Sequence, residues 1–226
     1  MLKVLTVADV LSILNACFGL LAMLAVVSGE FSWAFVLILL ALLADGLDGV
    51  VARRLGSGQV GEYLEAMADL VSLTVAPLVF VYGVYVYHGL QLFELVLLVV
   101  GMVFFLFCAA TRLAAFHLWK DEAVFVGLPA SASTILLICL SSLPGWFPPL
   151  VMVAILVLLG IMKVSSVQFP KLSTRLAVVA SIIILVALVL TLVKSIYGSL
   201  LLLVMILVYI LAGSVIARNK TESPSP

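Results

Sequence analysis

Apolar residues run in long blocks along this chain, broken by short polar or glycine-containing stretches. The blocks predict helices over approximately Ala8–Val27, Ser32–Arg53, Gly61–Tyr87, Leu92–His117, Val124–Leu143, Trp146–Met162, Thr174–Val193 and Tyr197–Ala217. Turn and polar signals separate them: Ser28-Gly29-Glu30, Gly56-Ser57-Gly58, His88-Gly89, Lys120-Asp121-Glu122, Pro144-Gly145 and Lys194-Ser195. Most blocks approach the roughly 18 to 20 apolar residues that a helix needs to cross the hydrocarbon of a bilayer. The expected fold is therefore an all-α, polytopic membrane helical bundle with about eight transmembrane helices. No strong internal repeat divides it, so residues 1–217 are read as one integral membrane domain. Residues 218–226 are polar and proline-containing, and are expected to form a disordered cytoplasmic tail.

Composition agrees with a membrane protein. Hydrophobic residues make up 66% of the chain and charged residues 10%, against about half and a quarter in soluble domains. The first block contains Asn15 and is followed by Gly29-Glu30-Phe31, so a retained helix is expected rather than a cleaved signal. Cys17, Cys108 and Cys139 are scattered through apolar blocks without metal-ligand spacing and read as packing residues. A net charge of zero gives no electrostatic footprint for nucleic acid. The positions of the charges say more. With a cytoplasmic N-terminus, Lys3, Arg53, Arg54, Arg112, Lys120, Lys163, Lys171, Arg175, Arg218 and Lys220 fall on or toward the cytoplasm, and Lys194 falls outside. That bias follows the positive-inside rule and puts both termini in the cytoplasm.

Charge changes the picture most between Asp45 and Asp69. Asp45, Asp48, Glu65 and Asp69 sit in or beside apolar helices, where acids are costly and mark a functional site by default. At 100° per residue, Asp45, Asp48, Gly49 and Ala52 share one face of the second helix. Gly61, Glu65 and Asp69 recur every four residues on the third, and Ser72 and Ala76 continue that stripe. The linker from Arg54 to Val60 is short and polar, which makes the two helices antiparallel neighbours able to point four carboxylates into one volume. Crowded like charges need a cation. Carboxylate-only ligands suit hard Mg²⁺, Mn²⁺ or Ca²⁺, and four of them can hold two ions, an arrangement that clamps phosphoryl oxygens. Gly49, Ala52 and Gly61 leave room for a bulky group against the backbone, and Arg53 supplies a cation suited to phosphate or carboxylate. Arg112 lies within another helix; it either binds an anion or snorkels to the interface. Asp9 reads as a cap of the first helix, and Asn15 as a group that orients a ligand or a neighbouring helix.

The run Asp45-x-x-Asp48-Gly49-x-x-Ala52-Arg53, then Gly61-x-x-x-Glu65-x-x-x-Asp69, resembles the signature of the CDP-alcohol phosphatidyltransferases. Ser12-x-x-Asn15-x-x-x-Gly19, Ala68-Asp69-Leu-Val71-Ser72 with Ala76-Pro77, Arg112-Leu-Ala-Ala-Phe116, and Phe125-Val-Gly127-Leu128-Pro129 are similar to blocks of its phosphatidylserine synthase branch and the archaeal counterparts. These matches cover roughly the first 130 residues; the last three helices show only apolar pattern. Glu65 stands where the family usually has Asp and reaches one methylene further. Ala115, His117 and Thr74 replace the branch's frequent Arg, Asn and Gly.

The resemblance implies a definite chemistry. Asp45, Asp48, Glu65 and Asp69 would be ligands of two divalent ions, Mg²⁺ or Mn²⁺, and Asp69 would also take the acceptor's hydroxyl proton. Gly49, Ala52, Arg53 and Gly61 would line the CDP pocket, with Arg112 and Asn15 at the acceptor or phosphate. The donor would be a CDP-linked lipid carrying diacylglycerol or archaeol, the acceptor L-serine, and the released product CMP. A homodimer among membrane lipids is expected, with the active site facing the cytoplasm. Two alternatives stand beside this reading: the same chemistry with glycerol phosphate or inositol phosphate as acceptor, and a cation-coupled transporter that uses the acids to bind ions in transit.

Overall fold

The computed structural model describes residues 5–56, 58, 60–115, 124–170, 174–193 and 196–222, and over these the apolar blocks fold as eight helices with one short β-ribbon. Helix α1 (Val7–Val27) starts at a capping box. The Thr6 N–H donates to Asp9 Oδ2 at 2.7 Å, and Asp9 N–H donates to Thr6 Oγ1 at 3.4 Å. Asp9 thus does cap the helix, from inside its first turn. Helix α2 (Phe31–Leu55) follows a turn at Gly29, whose φ of 78° suits glycine. Helix α3 (Gly61–Tyr87) continues through a π-helical segment at Leu70–Val75.

Three contacts fix the direction of these helices. Ser12 of α1 bonds to Asp48 of α2, Asn15 of α1 bonds to Asp69 of α3, and Phe31 of α2 packs on Tyr87 of α3. So α1 and α3 run the same way and α2 runs back between their ends. The antiparallel pairing of α2 with α3 expected from the short linker is present. A side chain at Gly19 would put Cβ 2.6 Å from Ser72 Cα, and one at Gly83 would meet Val26 Cγ1 at 2.3 Å. Glycine at both positions lets α1 and α3 touch along their length.

Helix α4 (Leu92–Ala115) packs along α6 (Pro149–Val164). Between them in sequence lies α5 (Ala130–Ser141), which is buried on nearly every face. A helix that is apolar all round belongs in a core, and α5 packs against α3 and α8 (Tyr197–Glu222). Helix α7 (Thr174–Leu192) lies against α2 and α8.

The helix expected over Val124–Leu143 is shorter at its start. Val124–Val126 forms strand β1, antiparallel to β2 (Gln168–Pro170), with Phe125 opposite Phe169. Gly127 has φ of 74°, and Pro129 holds the residue before it out of the helical region, so α5 begins only at Ala130. Strand β2 lies in the connection between α6 and α7. At the other end α8 runs on to Glu222.

Four helices, α1 to α4, are long and apolar enough to cross a membrane by length and composition. The other four carry shorter apolar stretches among the described residues. Val96, Val100, Val103 and Phe107 of α4 and Val178, Val179, Ile182 and Val186 of α7 are exposed, an outward apolar surface suited to lipid rather than water. The all-α membrane bundle expected from the sequence is the fold observed.

Candidate active site

The second turn of α1, the C-terminal half of α2 and the first half of α3 meet at one end of the bundle. There one oxygen from each of Asp45, Asp48 and Glu65 lies within 4.8 Å of the other two. The Asp69 carboxylate reaches that of Asp45. The four acids singled out in the sequence therefore form one group.

Helix α1 holds this group in place. Ser12 Oγ donates to Asp48 Oδ2 at 2.6 Å, and Asn15 Nδ2 donates to Asp69 Oδ1 at 3.1 Å. Ser12 and Asn15 are both buried, as is Asp48, which is 3% exposed. One turn further, Gly19 admits the backbone of α3 at Ser72. The Ser12, Asn15 and Gly19 pattern thus has a physical content: two hydrogen bonds to acids and one close helix crossing. Ser12 had no assigned role from sequence; only the structure shows its partner.

The π-helical segment begins immediately after Asp69. Such segments add a residue to a turn and leave carbonyls without their usual partners. Here Thr134 Oγ1 of α5 donates to the Leu73 carbonyl at 2.5 Å, and Ser72 Oγ donates to the Ala68 carbonyl at 2.8 Å. Those side chains stabilise the irregular turn that rotates the lower part of α3 relative to Asp69.

The group fits a hard divalent cation. Asp48 Oδ1 is buried with no hydrogen-bond partner, although Oδ2 is taken by Ser12. A buried carboxylate oxygen left unpaired beside two further acids is costly unless a cation fills the gap. The donors are all carboxylate oxygens, the chemistry of Mg²⁺ or Mn²⁺ sites. Gly49 and Ala52 are half-buried on α2, and Gly61 is buried at the start of α3, its N–H donating to the Gly58 carbonyl at 3.1 Å. Arg53 belongs to α2, but its side chain lies outside the described residues.

Arg112 lies in the last turn of α4, close enough to Asp69 and Tyr209 for electrostatic interaction. Its Nε is buried without a hydrogen-bond partner. Its buried Nε does not fit a side chain that snorkels to the interface. His117 lies outside the described residues. Lys163, expected to report only topology, is 2% exposed at the end of α6 and lies in the same electrostatic neighbourhood as Arg112 and Asp69.

The model of the CDP-alcohol phosphatidyltransferases matches residues 5–216. This chain belongs to the CDP-alcohol phosphatidyltransferase family. It is 33% identical over 170 residues to a CDP-diacylglycerol–serine O-phosphatidyltransferase of Methanocaldococcus jannaschii, covering 75% of this chain and 76% of that protein. It is 31% identical over 169 residues to an archaetidylserine synthase of Methanothermobacter thermautotrophicus, covering 72% and 69%. A CDP-diacylglycerol–serine O-phosphatidyltransferase of Helicobacter pylori is 28% identical over 163 residues, with 68% and 67% covered. As a CDP-alcohol phosphatidyltransferase the protein is a membrane transferase of phospholipid synthesis, and the transporter alternative loses its ground.

Proposed function

We propose that the protein transfers a phosphatidyl-type group from a CDP-linked lipid to L-serine and releases CMP. The observation that carries the reaction class is the convergence of Asp45, Asp48 and Glu65 within 4.8 Å, with Asp69 beside them. The relatives' names support serine as acceptor. Those names also span diacylglycerol-linked and archaeal lipids. Both donors share the CDP group that the site would grip.

Two divalent ions, held by Asp45, Asp48, Glu65 and Asp69, would neutralise the pyrophosphate and stabilise charge on the leaving CMP. The chain's own side chains do the rest. Gly49, Ala52 and Gly61 admit the cytidine and phosphate against bare backbone, and Arg53 pairs with a phosphate. The serine hydroxyl oxygen attacks the lipid-side phosphorus, the bond from that phosphorus to the CMP oxygen breaks, and the hydroxyl proton passes to Asp69. Asn15 donates to Asp69 Oδ1 and so orients the carboxylate that would take that proton. Arg112 sits beside Asp69 and would bind an anionic group of a substrate. On this reading the site and both termini face the cytoplasm, where serine is supplied, consistent with the Lys and Arg bias. A homodimer is the assembly we expect, by resemblance to the family.

CMP release is the test. Purified protein with Mg²⁺ or Mn²⁺, a CDP-lipid and serine should yield CMP and a phosphoserine lipid identifiable by mass spectrometry. Asp69→Asn should lower turnover at least about a thousandfold with the fold retained. No CMP from either donor with any hydroxyl acceptor would sink the proposal.

A further inference from the structure

Leu73 of α3 carries a backbone carbonyl that its own helix leaves without the usual donor. The residue four positions on is Pro77, which has no N–H to give. Around it the helix widens into the π-helical segment Leu70–Val75, where the Ala76 N–H turns back to the Val71 carbonyl, five residues earlier. Leu73 is 1% exposed. A carbonyl left unpaired in such surroundings is costly. Thr134 of α5 meets it: Thr134 Oγ1 stands 2.5 Å from the Leu73 oxygen and 3.0 Å from the Ala130 oxygen of its own helix. A hydroxyl has one proton to donate, and the shorter contact is the one across helices.

The turn held in this way adjoins the site directly, because Asp69 is the residue before it. Above the turn, Asn15 of α1 donates to Asp69 Oδ1 at 3.1 Å. Within it, Ser72 is pressed against α1 at Gly19, where a Cβ would come 2.6 Å from Ser72 Cα. Beside that contact, Thr134 holds Leu73 from α5. The segment Leu70–Val75 packs against α1, α2, α4 and α5, and Ser72, Leu73 and Thr74 are all buried. It has no hydrogen bond to spare: among the described residues, Thr74 Oγ1 is buried without a partner. A regular α-helix through the same residues would carry Asp69 round by about 100° relative to Ala76 and the helix beyond.

We propose that Thr134 is a positioning residue for the reaction: its hydroxyl locks the π-helical turn of α3 and so sets the direction in which Asp69 faces Asp45 and the acceptor. The inference rests on the role proposed above for Asp69 and adds to it a residue from the buried helix α5. Thr134 acts through the backbone of α3, four residues from Asp69. The residues proposed to admit the nucleotide, Gly49, Ala52 and Gly61, lie on other stretches of chain. Loss of the hydroxyl therefore acts on the chemical step more than on substrate binding.

Steady-state CMP release, measured well below the Tm of each variant, is the first test. Thr134→Val keeps the shape of the side chain and removes the hydroxyl. At saturating metal its kcat should fall about 10- to 100-fold. The KM values for CDP-lipid and serine should stay within about twofold of wild type. Thr134→Ser restores the hydroxyl without the methyl group and should recover kcat to within about threefold. A hydroxyl that only stabilises the fold would lower the Tm of Thr134→Val and leave the kcat of the folded protein unchanged, which would overturn the proposal. A rise in either KM with kcat intact, or no recovery in Thr134→Ser, would do the same. So would failure of both Thr134→Val and Thr134→Ala to fold. Mn²⁺ binding, read from the EPR signal of the free ion with CDP-lipid present, does not depend on turnover. Thr134→Val should bind Mn²⁺ about tenfold more weakly than wild type, and Thr134→Ser should match it. Equal affinity in Thr134→Val and wild type would count against the proposal as heavily as an unchanged kcat. If the wild type releases no CMP with any alcohol, the proposed reaction fails on its own, and the Mn²⁺ comparison still decides the role of Thr134.

Discussion

Two acids of the site are held by different residues of α1, Asp48 by Ser12 and Asp69 by Asn15, and that makes their effects separable. Asp48 gives Oδ2 to Ser12, and its Oδ1 is buried without a hydrogen-bond partner. Removing an outer partner of a metal ligand commonly weakens metal binding about 10- to 100-fold. Ser12→Ala should therefore raise the Mg²⁺ concentration for half-maximal CMP release by that order, with kcat at saturating metal within a few-fold of wild type. An unaltered metal requirement would show that Ser12 only fills space. At this scale the sequence was informative where chemistry is expensive. Asp45, Asp48, Glu65 and Asp69 stood out because acids in apolar helices have no cheap explanation. Lys163 did not stand out, because a lysine near the end of an apolar helix reads as an interfacial charge. Its burial comes from the close approach of α4 at Gly160, a tertiary contact with no local signature.

Elements show the same division between periodic signal and tertiary constraint. The apolar blocks locate all eight helices to within a few residues, except where backbone chemistry overrides hydrophobicity. Val124-Phe125-Val126 is apolar enough for a helix, yet it pairs with Gln168–Pro170, since Gly127 turns the chain and Pro129 resets it. The π-helical segment at Leu70–Val75 was also hidden: nothing in that apolar run distinguishes it from regular helix. Its lost carbonyl partner is supplied by Thr134, sixty-one positions away. The ribbon makes a sharp test of an element. Gly127→Ala forces a β-carbon into a left-handed backbone and against the Lys163 carbonyl. The backbone cost alone is about 1–2 kcal/mol, and the clash adds to it. Melting should fall by several degrees. A variant as stable as wild type would mean that the ribbon does not clamp α6.

For the molecule as a whole, the arrangement gathers its buried charge at one end and leaves its sides apolar. The N-terminal part of α1, the second half of α2, the first half of α3, the C-terminal ends of α4 and α6 and the middle of α8 all supply groups to that region. The opposite end is closed by ordinary packing: Tyr85 Oη donates to the Phe147 carbonyl at 2.5 Å, and Phe31 packs on Phe80 and Tyr87. Without a cation, helices α2 and α3 are joined at the charged end by groups that repel one another. Divalent metal should therefore contribute to folding stability as well as to chemistry. A ligand at about 100 times its Kd adds about 2.7 kcal/mol, and about 1 kcal/mol moves the Tm of a chain this size by about 2–4 °C. Saturating Mg²⁺ or Mn²⁺ should accordingly raise the Tm by roughly 5–10 °C, and chelation should reverse the gain. Asp45→Asn with Asp48→Asn removes part of that repulsion along with the ligands, so it should melt at or above the metal-free wild type and respond little to either ion. If metal leaves the wild-type Tm unmoved while CMP release still depends on it, the ions bind only with the CDP-lipid. The acids would then be a site completed by substrate and not a brace for the bundle.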